Sequence, residues 1–459
     1  MIRLPRRYRD MILLSAPITG IQFAQIALTS TDLMMMGRLG TEALAAGGLA
    51  MLLYNQFRTM CVGMVTGLGN LIAAAIGRSE RRMEIAVIDA AAQEEIRDLI
   101  HSAFLLSTVV AFVSGGLLVG LSYCLVFLGQ DSEVAAMARP IMIALAPGLL
   151  PMVWLNVLRQ FAVGMRRPGS LFWVTVVSVA VNALLNAIFI YGWLGAPRLG
   201  LMGIGLSTTL VQVWTFLVYL RAVRREEELN AFLSPTLWRG QRSSVLQIAR
   251  MGTPISLTYG LEASMTSMAS VLIGHFGPVV LAASNVVNQL VKIVYQLNVG
   301  LSHGSSIMVS GAIGQQKHGE IGAIARGAMI ICLVPMAAIG VAYLLLPRIV
   351  LWPFLGSNAD PVIVSAATTL LWFAVANQLF AASQNICMGL LRGLGNTHSG
   401  LTNTLVGYWL IGIPAIVFFG YWLGWQGEGV WLGLCVAFGA TSALLWRRFM
   451  ADLKRLPQS

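Results

Sequence analysis

Two carboxylates stand where an ionisable side chain is least expected. Of the 19 Asp and Glu in this 459-residue chain, all but Asp32 and Glu262 fall in loops, tails or the ends of hydrophobic stretches. A charge at the centre of a bilayer costs about 2.5–3.5 kcal/mol even on a lenient scale, so a retained acid needs a reason. One is exchange of a proton or a metal cation between the two sides; the other is a carboxyl kept neutral, or paired, to lock helices together. Asn182 and Asn186 lie one turn apart on one helical face, and Thr208 adds a hydroxyl from the next stretch. With Asp32 these groups form an oxygen shell for a hard cation, Na+ at Asp32, Asn182 and Asn186. They equally stabilise an ionised carboxylate between proton transfers, and asparagines in membrane helices also serve as glue between helices.

Three basic residues share the apolar stretches. Arg58 and Lys292 read as substrate contacts or as partners of Glu262, and Arg159 as a side chain snorkelling to a helix end. His303 is either a proton relay or a packing residue. Tyr54, Trp154, Trp372 and Phe373 are candidates to line a cleft or to fill a core. No HExxH or phosphate loop occurs, and Gly67-Leu68-Gly69 sits inside an apolar stretch, so the chain is expected not to be an enzyme and to need no cofactor beyond a coupling ion.

The elements that must position these residues follow from composition. A chain 57% hydrophobic and 11% charged cannot clothe itself for water. Stretches of about twenty apolar residues can each cross a bilayer. They are read at roughly 12–36, 43–73, 102–129, 140–164, 171–194, 202–222, 249–273, 280–312, 324–346, 362–391, 401–423 and 429–447. With the amino terminus inside, most of the 30 Lys and Arg fall in inner loops, Arg3, Arg239 and Arg392 among them, while the outer loops hold Arg38, Arg139, Arg198 and Arg348. That sorting predicts both termini in the cytoplasm. The net charge of +11 then faces an anionic leaflet, so the expected surroundings are a lipid bilayer, with no nucleic acid. The five cysteines show no metal spacing and read as packing residues.

The chain also repeats itself. An offset of 237 residues brings Pro17 onto Pro254, Gly37 and Gly40 onto Gly274 and Gly277, and Gly63 and Gly67 onto Gly300 and Gly304. Later the offset is 229, as from Asn156 to Asn385 and from Trp193 to Trp422. Shared Pro and Gly in a fixed register signal duplication. The extra residues of the first half belong to 78–101, read as a charged amphipathic helix. The expected fold is an all-α polytopic membrane protein of twelve helices in two parallel six-helix repeats: 1–222 and 249–459, joined by a linker at 223–248. The acids break the symmetry, since Asp32 maps onto Ala269 and Glu262 onto Gln25.

With PITGIQFAQIALTSTDLMMMGRLG opening one half, TPISLTYGLEASMTSMASVLIGHFG opening the other, and GMVTGLGNLIAAAIGR, VNALLNAIFIYGWLGAP and LLRGLGNTHSG between and after them, the chain resembles the MATE family of multidrug and toxic compound extrusion transporters, in its bacterial NorM-like branch. The resemblance implies a V-shaped pair of bundles in the bacterial inner membrane, working as a monomer. It implies antiport of H+ or Na+ against organic, cationic or amphiphilic small molecules. Asp32 falls on the family's first-span acid, Asn182 and Asn186 on its fifth-span polar pair, and Glu262 on its seventh-span acid. One departure is plain: Ala381 stands where related members carry a tenth-span acid, with Gln384 and Asn385 one turn on as substrate-cleft candidates. Competing expectations are a flippase for a lipid-linked oligosaccharide or precursor, which calls for a cationic cavity, and an intramembrane transferase, which calls for clustered His or acids at one membrane face.

Overall fold

The structure, a computed structural model, describes residues 6–457 except 86, 128–129, 168, 234–239 and 357–359, and not the side chains of 6, 7, 41 and 170. Arg3, Arg239 and the middle of the linker lie outside the described residues. Twelve long helices follow in order. They are α1 (Arg6–Gly37), α2 (Thr41–Met83), α3 (Ala90–Cys124), α4 (Ser132–Gly164), α5 (Gly169–Tyr191), α6 (Leu201–Arg225), α7 (Arg242–Gly274), α8 (Pro278–Gly314), α9 (His318–Leu345), α10 (Pro361–Gly393), α11 (Thr397–Trp422) and α12 (Gln426–Arg455). No strand occurs among the described residues.

Eleven of these are long and apolar enough to cross a membrane. The exception is α7, which has 33 residues but whose second half is diluted by Thr258, Tyr259, Glu262, Ser264 and Thr266. A helix that spends hydropathy on polar groups must bury them against its neighbours. The helices also run past the apolar stretches. Residues 78–101 are not a separate helix: α2 continues to Met83, the backbone turns at left-handed Glu84, and Asp89 caps α3 by accepting from the Ala92 N–H at 2.9 Å. Asp89 is also held by Arg82 at 2.6 Å, which keeps its carboxyl below the usual range.

Contacts divide the chain into two compact units: Gly20–Ser256, and Leu257–Ser459 together with Met1–Thr19. Each cut falls two residues past a repeat-related proline, Pro17 in α1 and Pro254 in α7. Proline removes a backbone donor and clashes with the preceding turn, so each helix is weakest where it changes unit. Each unit has its own apolar core, and the exchanged half-helices feed them. Met11 of α1 is buried in the core of the second unit, and Ile248 of α7 in that of the first.

Glycines on α2 and α8 admit these half-helices, in the small-xxx-small spacing that lets membrane helices approach closely. A Cβ on Gly63 would lie 2.6 Å from Ser256 Cα, and one on Gly300 would strike Thr19. Ser256 and Thr19 are themselves related by the offset of 237. Beside the linker, α3 holds the start of α7. Asp98 accepts from the Gln241 N–H at 3.0 Å and from the Ser244 hydroxyl, while the Arg97 guanidinium donates to Ala231 O at 3.0 Å.

These approaches generate a test. Gly63→Ala and Gly300→Ala should each cost about 1–3 kcal/mol from overpacking, read as a lower thermal midpoint of the purified protein. Gly48→Ala, on the same helix as Gly63 but with nothing within 4 Å of the added carbon, should not lower it. Equal midpoints for all three would sink the close-packing account.

Candidate functional site

Asp32 lies five residues before the end of α1, in the Gly20–Ser256 unit, and is fully buried. Burial takes the carboxylate's hydration away, and only fixed donors can replace it. Three do so. The side-chain amides of Asn182 and Asn186 each donate to Oδ1 at 2.7 Å, and the Thr208 hydroxyl lies 3.3 Å from Oδ2. The amides stand at i and i+4 on α5, so one face presents both to a single oxygen. All four residues expected to act together are therefore assembled.

The two carboxylate oxygens differ in chemistry. Oδ1 is a pure acceptor in either protonation state. Thr208 has one hydroxyl hydrogen but two acceptors, Asp32 Oδ2 and, at 3.0 Å, Ile204 O. When that hydrogen points to Ile204 O, the gap to Oδ2 is filled by a proton on Asp32, donated to Thr208. When it points to Oδ2, the carboxylate is ionised. Both states are served without moving a heavy atom. The amide oxygens of Asn182 and Asn186 are buried without partners, and a Na+ ion shared with Asp32 would require both amides to turn their oxygens toward it. Among the described residues, no group of three or more His, Cys, Asp or Glu could hold a metal ion.

Glu262 occupies a different setting in the other unit. It is half-buried, accepts from the Tyr295 hydroxyl at 2.7 Å, and is also bonded by Tyr408. Tyr295 reaches Asn385 Oδ1 at 3.4 Å, and the Gln384 amide donates to the Tyr408 hydroxyl. Gln384 and Asn385 thus stand beside the carboxyl, where the tenth-span acid is missing. The tyrosines were not picked out from the sequence. Tyr295 had a signal, being the repeat equivalent of Arg58; Tyr408 had none.

Other expectations are placed differently. Lys292, in the same unit as Glu262, is not among the partners of its carboxyl, which are hydroxyls. Arg58 donates to Asn55 Oδ1 at 3.1 Å. Arg159 does not snorkel, being 5% exposed. Arg392 is not a loop cation: it is buried in α10, bonded to Ser306 and Tyr259. Tyr54 is buried, Trp154 is fixed by Thr108 and by Phe216 in a core, and Trp372 is exposed on its helix. Cys61, Cys332, Cys387 and Cys435 are buried, whereas Cys124 is exposed.

Comparison with known proteins agrees with this architecture. The sequence model of the MatE family matches residues 17–188 and 254–418, one segment in each repeat. A probable multidrug resistance protein NorM of Pseudomonas aeruginosa is 32% identical over 96% of this chain and 89% of its own length. One from Brucella suis is 28% identical over 97% and 94%. Among solved structures, a eukaryotic MATE transporter superposes with a TM-score of 0.83 at 18% identity, over 98% of this chain and 99% of its own. A multidrug resistance MATE family transporter of the MOP superfamily, in an outward-facing conformation, gives 0.83 at 17%, over 99% and 97%. At such identities the structural likeness carries the fold alone.

The donor arrangement makes its own prediction. Asn182→Leu removes one of three donors to a buried carboxylate and should lower stability by about 1–3 kcal/mol. In an Asp32→Ala background the same change should cost far less, measured by thermal unfolding of the four proteins of the cycle. An undiminished cost there would mean that Asn182 acts by packing.

Proposed function

The chain belongs to the MatE family of multidrug efflux transporters, as a multi-pass membrane protein, and we propose that it is an H+-coupled antiporter exporting organic cations and amphiphiles. The observation that carries the coupling ion is the Asp32 site, in which one carboxylate oxygen can gain or lose a proton against the Thr208 hydroxyl. Antiport needs two ligands that disfavour each other's binding. A proton on Asp32 removes a negative charge from a medium of low dielectric, where charge is felt over a long range. An organic cation gains from the ionised carboxyl and loses when it is neutral.

Glu262 supports the substrate class. Its carboxyl is ringed by Tyr295 and Tyr408, with the Gln384 carbonyl oxygen buried and unpartnered. Acceptors and aromatic faces together suit a charged nitrogen with apolar substituents. The sorting of basic residues supports both termini in the cytoplasm and export outward across the inner membrane. Each unit closes its own core within one chain, which supports a monomer in the bilayer as the working form. The flippase reading is not favoured.

In proteoliposomes, an imposed pH gradient should drive accumulation of a fluorescent organic cation, and Asp32→Asn should reduce it at least tenfold while leaving the thermal midpoint within the wild-type range. An imposed Na+ gradient at equal pH should drive none. Undiminished transport in Asp32→Asn would remove Asp32 from coupling, and Na+-driven transport would replace the proton.

A further inference from the structure

Along α11 the backbone widens. Leu405–Gly412 and Phe418–Trp422 are π-helical, with hydrogen bonds running from an N–H to the carbonyl five residues back, as from Ile413 to Tyr408. Such turns are rare and hold one residue more than an α-helical turn, so each re-aims the side chains beyond it by about 100°. Tyr408 lies in the first of them, and it is the residue that brings α11 to Glu262.

Proline is one cause of the widening. Pro414 has no N–H to give to Leu410 O, and its ring crowds that carbonyl, so the helix before it opens. Proline is not enough alone, because Pro17, Pro254 and Pro335 lie inside α1, α7 and α9 with α-helical backbone. What α11 adds is Gly407 and Gly412, five residues apart and therefore on one face where bonds run five residues back. A Cβ on either would strike α12, at Thr441 and Ala437 respectively.

The duplication supplies the control. At the offset of 229, Gly407, Gly412 and Pro414 correspond to Ser178, Ala183 and Leu185 of α5, which is α-helical from Gly169 to Tyr191. Tyr408 corresponds to Val179. The proline, both glycines and the tyrosine thus occur together in one copy and are all missing from the other.

At Glu262 the outcome is a donor with all its bonds made. The Tyr408 hydroxyl accepts from the Gln384 amide, so its single hydrogen goes to the carboxyl. An organic cation drawn to Glu262 competes for the same group. The other donor, Tyr295, stands on α-helical backbone in α8 and also reaches Asn385 Oδ1 at 3.4 Å, whereas Tyr408 stands on the widened turn. Gln384 Oε1 is buried and without a partner among the described residues, a cost that the cluster carries until a donor arrives.

We propose that Tyr408 is a stand-in ligand for Glu262: its hydroxyl, positioned by the π-helical turn that Pro414 and the two glycines build, occupies the carboxyl until an organic cation displaces it. This rests on the substrate role given to Glu262. Pro414 is then a positioning residue that acts only through Tyr408. The device sets a threshold, since every ligand of Glu262 must offset the phenol's hydrogen bond before it binds.

The test uses the purified full-length chain in detergent, titrated by calorimetry with tetrapropylammonium, a charged nitrogen with apolar substituents. Tyr408→Phe removes the hydroxyl and keeps the ring, and should tighten binding about tenfold, the lower end for one hydrogen bond to a charged group. Pro414→Leu, which installs the residue of the other copy, should tighten it too, and adding it to Tyr408→Phe should change nothing further. Pro414→Ala takes its place should the leucine variant fail to fold. Unchanged or weakened binding in Tyr408→Phe overturns the stand-in, and additive effects in the double variant overturn the positioning role. Infrared difference spectra separate this device from the substrate reading. The carboxyl band lost in Glu262→Gln should shift alike in Tyr408→Phe and Pro414→Leu, with no probe present, and a band that stays in place in Pro414→Leu overturns the positioning. Binding that ignores Glu262→Gln removes the substrate role of Glu262 and the stand-in with it, while the band still judges Pro414.

Discussion

A polar group taken into a bilayer must find its partners inside the protein, and the arrangement of both units follows from that requirement. Asp32 is the sharpest case. Its two oxygens need donors from α5 and α6 at 2.7 to 3.3 Å, so α1, α5 and α6 can sit in only one rotational register about it. Moving any of the three by one residue turns its donor about 100° away. Glu262 imposes the same condition on α7, α8 and α11 through Tyr295 and Tyr408. The carboxyls are thus cross-links as well as chemical groups, and the energy that holds them is available to be changed by a proton or a ligand.

The second constraint is the route of the chain. It passes between the two units twice, at Thr19–Gly20 and at Ser256–Leu257, and both crossings lie inside helices. The amino-terminal part of α1 belongs to the core containing Met265, while its later part carries Asp32 among α5 and α6. The early part of α7 belongs to the core containing Ile248, held at its start by Asp98, while its later part carries Glu262. The acids therefore sit on the same two helices in which the chain passes from one unit to the other.

Much of this was legible in the sequence because membrane insertion is a blunt filter. Apolar stretches of sufficient length, the scarcity of buried acids and the repeated Pro and Gly register are all one-dimensional signals, and they marked the helices, Asp32 and its three partners. Three-dimensional exchanges were not legible. The division of α1 and α7 between units leaves no mark on hydropathy, since both halves of each helix mix buried and exposed residues. Arg159 and Arg392 look like interfacial cations because distance from a helix end says nothing of which face they occupy. Tyr408 escaped because an aromatic residue in an apolar span is ordinarily core, and Tyr295 because its one signal, equivalence to Arg58 in the repeat, does not point to a carboxyl. Residues 78–101 misled for a local reason: their charges are amphipathic in pattern, but the turn at Glu84 and the Asp89 cap divide them between two helix ends.

Duplication explains why one scaffold can hold two unlike carboxyls. Backbone requirements were kept in both copies: Gly63 and Gly300 admit equivalent residues of α7 and α1, and Pro17 and Pro254 precede equivalent crossings. Side-chain chemistry was not kept. On the shared first helix of each repeat, the acid stands at Asp32 in one copy and, mapped by the offset of 237, at the position of Gln25 in the other. Seven residues separate these positions, two turns on nearly the same face. The carboxyls therefore occupy non-equivalent positions on their helices with different partners: amides and a hydroxyl around one, phenols around the other. Two identical sites would compete for the same ligand. Two sites that differ in donor set can prefer different ones, a chemical asymmetry that the proposed exchange of a proton for an organic cation would use.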